Sequence, residues 1–249
     1  MKLSSKVALI TGASRGIGRS VTRAFARESA SLFLVGHSDE SALKEAIQEA
    51  GALGAEADGG LFNIGSYPDV RRLADAIERR FSTLDIVVNN AGVLKLTPLL
   101  EITADQWEST IRTHLHGTFY CTVEMVNRFM KVRGSGKIVN VAAAAALSGY
   151  YGVADYASAK GGIVAFTINA AKELQSLNIQ VNAIIPVARS RMIDSLGDYY
   201  KRAFGEKAAA RITEVASPEA LVPSFLFFAS SDSDYVTGQL LTADGGTTL

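Results

Sequence analysis

The sequence predicts an α/β fold, a single doubly wound domain over residues 1–249 with a central parallel sheet of about seven strands. Three observations carry the prediction. Short β-branched runs alternate with longer segments of helical period, a glycine-rich turn follows the first run directly, and no shift in composition marks a second domain. Strands are expected at 7–10 (VALI), 32–35 (LFLV), 60–62 (GLF), 86–88 (IVV), 137–141 (KIVNV), 180–183 (QVNA) and 240–242 (LLT). Runs this apolar read as buried on both faces, which is how parallel strands sit beneath crossover helices. Those helices are expected at 18–28, 41–50, 68–81, 104–132, 156–176 and 218–230. The longest stretch without a periodic signal, 187–216, reads as an irregular lid over a substrate. Its charges are mixed: Arg189, Arg191, Lys201, Arg202, Lys207 and Arg211 against Asp194, Asp198, Glu206 and Glu214 leave +2, too little to name an anionic substrate.

Composition narrows the function. Lys plus Arg and Asp plus Glu number 25 each, so the chain has no basic excess for nucleic acid or a membrane surface. The N-terminal apolar run breaks at Thr11-Gly12, and no run approaches the roughly 18 apolar residues of a span. A cytoplasmic protein with a small-molecule substrate is the expectation. The single cysteine, Cys121, excludes an internal disulfide and a cysteine-rich metal site, and reads as a small apolar core residue.

The stretch VALITGASRGIG is a buried strand, a glycine turn and a helix start in succession. Gly12 permits the sharp turn, Gly16 lets the backbone approach a pyrophosphate, and Gly18 allows close helix–strand packing. The helix N-terminus then offers N–H groups and a positive dipole end to phosphate. This is the signature of a Rossmann domain. The second strand usually ends in an acid when the cofactor is NAD, yet Leu34-Val35 runs into Gly36-His37-Ser38 and the first carboxylate is Asp39. Arg15 and Ser14 in the turn, with His37 and Ser38 as further donors, favour NADP(H) over NAD(H).

With Asn89-Asn90-Ala91-Gly92, Tyr156-Ala-Ser-Ala-Lys160 and Asp244-Gly245-Gly246 in order behind that turn, the chain resembles the short-chain dehydrogenase/reductase family, nearest its 3-oxoacyl-carrier-protein reductase type. The likeness spans essentially the whole chain. It implies nicotinamide-cofactor contacts from Ile17, Asn63, Ile64, Asn90, Ala91, Gly92, Tyr156, Lys160, Pro186 and Ser190, with Asn63 capping the adenine. It also implies a homotetramer built through helices 104–132 and 156–176. From the residues themselves, Tyr156 and Lys160 lie at i and i+4 on one helix face, where an ammonium favours the phenolate and draws its pKa down from about 10. Tyr156 would then give a proton to a carbonyl oxygen as NADPH delivers hydride, and the resemblance implies that Lys160 also holds the nicotinamide ribose.

The sequence departs from the family pattern in three places. The serine thirteen residues before the tyrosine falls on Ala143, inside the run Ala142–146. The helix-borne asparagine falls on His114, which either relays a proton from Lys160 or satisfies a helix kink. The Pro-Gly after the sixth strand is Pro186-Val187. One lost donor at such a site is worth about 3–4 kcal/mol, which slows an ordinary ketone reduction without abolishing it. Ser148 is a weak stand-in for the missing hydroxyl. The substrate pocket is expected to be apolar and lined by Leu94, Leu96, Ala143, Ala145, Leu147, Tyr150, Tyr151 and Val187. Two readings follow: a divergent NADPH-dependent oxidoreductase with Tyr156, Lys160 and His114 at its centre, or a non-catalytic NADP-binding homologue. No metal site is expected, since His114 and His116 point apart on a helix.

Overall fold

A computed structural model describes residues 1–213 and 215–247. Seven strands, β1 (Val7–Thr11), β2 (Ser31–Gly36), β3 (Ala57–Leu61), β4 (Ile86–Asn89), β5 (Gly136–Val141), β6 (Ile179–Pro186) and β7 (Leu240–Ala243), form one sheet in the order β3-β2-β1-β4-β5-β6-β7. Every pair is parallel, with Ile10 beside Leu34 on one side and beside Val88 on the other. The strand order reverses between β1 and β4, and a crevice opens there at the carboxyl ends of the strands, the usual seat of a ligand in such a sheet.

Alternate residues of each central strand feed two cores. Ala8, Ile10, Leu32 and Leu34 pack under α1 (Gly16–Arg27), α2 (Glu40–Ala52) and α11 (Val222–Ala229) through Phe25, Ala46 and Phe225. Leu9, Phe33, Val35 and Val87 pack under α3 (Tyr67–Phe81), α5 (Gly117–Met125) and α8 (Ala154–Leu174) through Leu73, Ile77, Cys121 and Ala171. This division follows from the two-residue period of a strand. Cys121 is fully buried and its thiol is pushed up to about 12 by that burial, so it belongs to the core. Burial on both faces holds for β1, β2 and β4; the edge strands β3 and β7 are half-exposed, as strands with one neighbour are.

Two expectations are corrected. The helix expected at 104–132 runs as α4 (Ala104–Ile111), α5 and α6 (Lys131–Arg133), separated by wider π-type turns at Arg112–His116 and Val126–Met130. The first of these turns holds His114, and single π-turns inside helices often mark functional sites. The segment 187–216 is largely helical: α9 (Arg191–Phe204) and α10 (Glu206–Thr213) pack as a pair, with Gly197 so close to Thr213 that a Cβ would meet its methyl at 2.3 Å. The helical signal is Met192, Leu196 and Tyr200 at four-residue spacing facing inward, while Asp198, Lys201 and Arg202 face solvent. Ser190 starts α9, its Oγ accepting from the Ile193 N–H at 3.3 Å. Of the charges counted in this segment, Glu214 and the Arg211 side chain lie outside the described residues. A short turn, α7 (Ala145–Ser148), ends the alanine run. Among the described residues, no helix is long and apolar enough to cross a membrane.

Candidate functional site

The glycine turn between β1 and α1 is held from behind. Thr11 Oγ1 donates to Val88 O at 3.2 Å and accepts from the Asn90 and Ala91 N–H groups at 3.0 and 3.1 Å. Asn90 Nδ2 donates to Thr11 O and Gly12 O, so this asparagine is a brace across the β1–β4 crevice. A Cβ at Gly18 would stand 2.2 Å from Gly12 O, which leaves no room for any side chain. Gly16, at φ +54°, has nothing within 4 Å of where a Cβ would lie. That open space fronts the N-terminus of α1, which has no side-chain cap and no acid in its first turn. Free N–H groups before an open space, in a cradle only glycine permits, fit the pyrophosphate of a dinucleotide.

At the adenosine end, Ser14 is buried against Gly36, and His37 and Ser38 are exposed beyond β2. Arg15 Nη2 pairs with Asp39 Oδ2 at 3.0 Å, and Asp39 Oδ1 caps α2 by accepting from Ala42 N–H. The guanidinium expected for a phosphate therefore has a fixed carboxylate beside it. Asn63 forms a local turn, its Oδ1 accepting from Gly65 N–H at 3.0 Å, and Ile64 is buried against Gly117.

The catalytic candidates meet at the carboxyl ends of β4 and β5. Lys160 is buried on α8 and its Nζ donates to Val141 O at 2.6 Å. It lies 5.6 Å from the centroid of the Tyr156 ring. Burial pushes the Lys160 ammonium down to about 7 and the Tyr156 phenol up to about 12. The direction is opposite to the expected lowering: the lysine is itself desolvated, and desolvation is what raises the phenol. Asp155 fixes the start of α8 from within, accepting from Tyr156 N–H at 2.8 Å, Thr110 Oγ1 at 2.9 Å and Gln106 Nε2 at 3.0 Å. Sequence reasoning missed this buried carboxylate, though an acid beside the tyrosine was visible.

His114 projects from its π-turn edge-on to Tyr156, with ring centroids 5.1 Å apart. Its Nε2 lies 2.8 Å from Val93 O and 3.1 Å from Val93 N; we assign the proton to Nε2 on the shorter contact. Nδ1 is then a buried acceptor with no partner among the described residues. Burial, then the charge of Lys160, hold its pKa down to about 3 against the Val93 bond, so His114 is neutral. It anchors the loop after β4 and does not satisfy the helix backbone. His116 lies elsewhere, its ring tilted against Tyr120 with centroids 5.7 Å apart. Behind the site, Thr122, Asn89, Asn140 and Thr167 form a buried hydrogen-bonded ladder.

Beside Tyr156 lies a cavity of about 400 Å³. Leu94, Ala143, Ala145, Tyr150 and Val187, expected in the substrate pocket, line it, and so does Pro186, expected at the cofactor. Leu96, Leu147 and Tyr151 do not. Leu147 is 61% exposed on α7, and Tyr151 turns outward, stacked on Tyr199 and edge-on to Phe204. Ser148 Oγ donates to Ala144 O at 3.0 Å within its own turn, which removes it as a stand-in hydroxyl. The wall that sequence reasoning missed is the inner face of α9, with Met192, Ile193, Leu196 and Tyr200. Among the described residues, no group of three or more His, Cys, Asp or Glu is placed to hold a metal ion.

Comparison with known proteins agrees with this geometry. Residues 6–196 match the model of the short chain dehydrogenase family. The chain is 33% identical to 3-oxoacyl-(acyl-carrier-protein) reductase FabG from Thermotoga maritima over 249 residues, covering 99% of each chain. It superposes on a putative gluconate dehydrogenase from Agrobacterium tumefaciens with a TM-score of 0.90 at 31% identity, covering 99% of this chain and 97% of that one. It superposes on a variant of actinorhodin polyketide ketoreductase with NADPH with a TM-score of 0.92 at 30% identity, covering 98% and 97%.

Proposed function

As the chain belongs to the short-chain dehydrogenase family, whose nicotinamide-dependent oxidoreductases act on carbonyl and hydroxyl groups, we propose that it is an NADPH-dependent ketoreductase with Tyr156 as its proton donor. The observation that carries the reading is the position of Tyr156, which lines the apolar cavity while sharing a helix face with buried Lys160. When bound, the nicotinamide cofactor supplies the hydride. Gly12, Ser14, Gly16, Ile17 and Gly18 would cradle its phosphates, Asn63 and Ile64 its adenine, and Ala91, Gly92, Lys160, Pro186 and Ser190 its nicotinamide end.

The proton chemistry belongs to the chain. A phenol held near 12 keeps its proton at working pH, so Tyr156 has a proton to give to the substrate oxygen. Lys160, near 7, exists in both protonation states there and can restore the proton of Tyr156. The bare Nδ1 of His114 is an acceptor for a water carrying that proton onward. Ala143 offers only a methyl, so the developing charge on the substrate oxygen rests on Tyr156 alone. The same methyl favours the second reading, a homologue that binds NADP without turnover. NADPH over NADH is supported by Arg15 and by the absence of an acid at His37 and Ser38. Part-exposed Trp107, Phe119 and Ile168 on α4, α5 and α8 support association into a tetramer through these helices.

The test follows NADPH and NADH separately, by fluorescence for binding and by absorbance for turnover on a ketone panel. NADPH binding with turnover is expected. Binding without turnover on any ketone supports the second reading, and tighter NADH binding removes the cofactor assignment.

A further inference from the structure

Asp155 precedes Tyr156 in the chain and is only 1% exposed, yet the three groups that donate to it are all neutral. A carboxylate taken out of water without a cation is costly, so its place here asks for a use. One use is local. Val153, which precedes α8, supplies no side-chain cap, and Asp155 Oδ1 takes the Tyr156 N–H, a first-turn donor without a partner inside the helix. Capping does not account for the second oxygen. Oδ2 is spent on α4, where Thr110 Oγ1 and Gln106 Nε2 both donate to it.

The carboxylate also sets the direction of a longer chain of bonds. It can only accept, so Gln106 turns its amide nitrogen toward it, and Gln106 Oε1 accepts from Thr97 Oγ1 at 3.0 Å. Thr97 N–H in turn donates to Gly152 O at 2.9 Å, just before α8. The π-turn that follows α4 carries His114, which holds Val93 at the other end of the same loop. Leu94 lies between these two ties and lines the cavity. The start of the Tyr156 helix and the loop that carries Leu94 are thus both tied to α4.

Resting on the ketoreductase reading, we propose that Asp155 is a positioning residue for the proton transfer, holding the backbone of Tyr156 against α4 so that the phenol meets the substrate oxygen in a reactive line. This chain has a particular need of such a hold. Ala143 offers only a methyl where the family pattern has a hydroxyl, so more of the orientation of the substrate oxygen falls to Tyr156. A misplacement of about 1 Å at a reacting group can cost about a hundredfold in rate. The carboxylate acts through the tyrosine backbone and takes no part in the chemistry itself.

The test measures NADPH oxidation by the parent, Asp155→Ala and Asp155→Asn on the fastest of 4-tert-butylcyclohexanone, acetophenone and ethyl acetoacetate. Rates are divided by the NADPH bound in a fluorescence titration, which removes any loss of folded protein. Asp155→Ala should lower kcat about ten- to a hundredfold, leave KM and NADPH affinity within about twofold, and raise the solvent deuterium isotope effect on kcat. Asp155→Asn should recover to within about threefold of the parent, because each hydrogen bond can be re-formed. Its Oδ1 keeps the Tyr156 N–H, Thr110 Oγ1 accepts from the new Nδ2, and the Gln106 amide turns over while Thr97 Oγ1 changes from donor to acceptor. Thr110→Val, of the same shape without the hydroxyl, should lower kcat about threefold or more and carries the test if Asp155→Ala does not fold. Parental kcat in Asp155→Ala or Thr110→Val, an Asn variant as slow as the Ala variant, or a loss that falls on KM or NADPH binding overturns the inference and leaves the ketoreductase reading standing. A parent that binds NADPH and reduces none of the three ketones overturns both.

Discussion

Two glycines of the same turn should respond to alanine in opposite ways. At Gly18 the added methyl would lie 2.2 Å from Gly12 O, 2.9 Å from Gly12 C and 2.7 Å from Asn90 Nδ2. Two of these atoms are backbone, and Asn90 is tied to Thr11 O, so nothing nearby yields cheaply. Overpacking of this kind costs about 1–3 kcal/mol, and a backbone clash belongs at the upper end. For a domain of this size that is a fall in Tm of about 6–12 °C. At Gly16 the methyl meets no atom, so the cost to folding is only the left-handed φ of +54°, about 1 kcal/mol and about 2–4 °C. The same methyl, however, occupies the space in front of the α1 N-terminus. Gly16→Ala should therefore weaken NADPH binding about tenfold or more while barely lowering Tm, and Gly18→Ala should lower Tm before any cofactor is added. Thermal unfolding without cofactor and fluorescence titration with NADPH separate the two. If Gly16→Ala binds NADPH like the parent, the phosphates do not sit at this turn. If Gly18→Ala melts with the parent, the close packing is misread.

Other expectations follow from single side chains. Ala143→Ser should leave kcat/KM for the preferred ketone unchanged or lower, because the new hydroxyl enters an apolar wall; a gain approaching a hundredfold on every ketone would show a decayed site instead of a specialised one. His114 is held near 3 when folded and returns to about 6.5 when unfolded, so the unfolded chain binds the extra proton between those values. Its contribution to stability is therefore present above about pH 6.5 and lost as pH falls toward 3, at up to about 1.4 kcal/mol per pH unit. Denaturant midpoints across that window should show this slope in the parent and lose it in His114→Asn. Lys160, lowered to about 7, adds the same sign of dependence between about 10.5 and 7. Asp39→Asn frees Arg15 from its 3.0 Å pair and should tighten NADPH several-fold without a matching effect on NADH; equal shifts for both would place Arg15 away from the 2′-phosphate. His37→Asp should move preference toward NADH by repulsion of that phosphate.

What was legible in the sequence follows from where each signal is stored. Strands and crossover helices were readable because VALI, LFLV and IVV are buried runs whose burial is a local property of composition. The glycine turn and the Tyr156–Lys160 pair were readable because their geometry is set within a few residues. The α9 wall was missed because its inner face, Met192, Leu196 and Tyr200, is interleaved with charges that make the segment read as solvated. The direction for the Tyr156 phenol differs for another reason: spacing shows that Lys160 is near, but not that Lys160 is buried and both groups are desolvated. Asp155 escaped because its partners, Gln106 and Thr110, come from a helix far away in the chain.

The central claim, that Tyr156 is the acid of a working reductase, is tested most directly by single-turnover NADPH oxidation in the parent and in Tyr156→Phe on the same ketone. The account predicts that the variant binds NADPH nearly as tightly as the parent and loses turnover by several orders of magnitude, since Ala143 offers only a methyl and Tyr156 is the cavity phenol that shares a helix face with buried Lys160. A variant that oxidises NADPH at the parent's rate would contradict it.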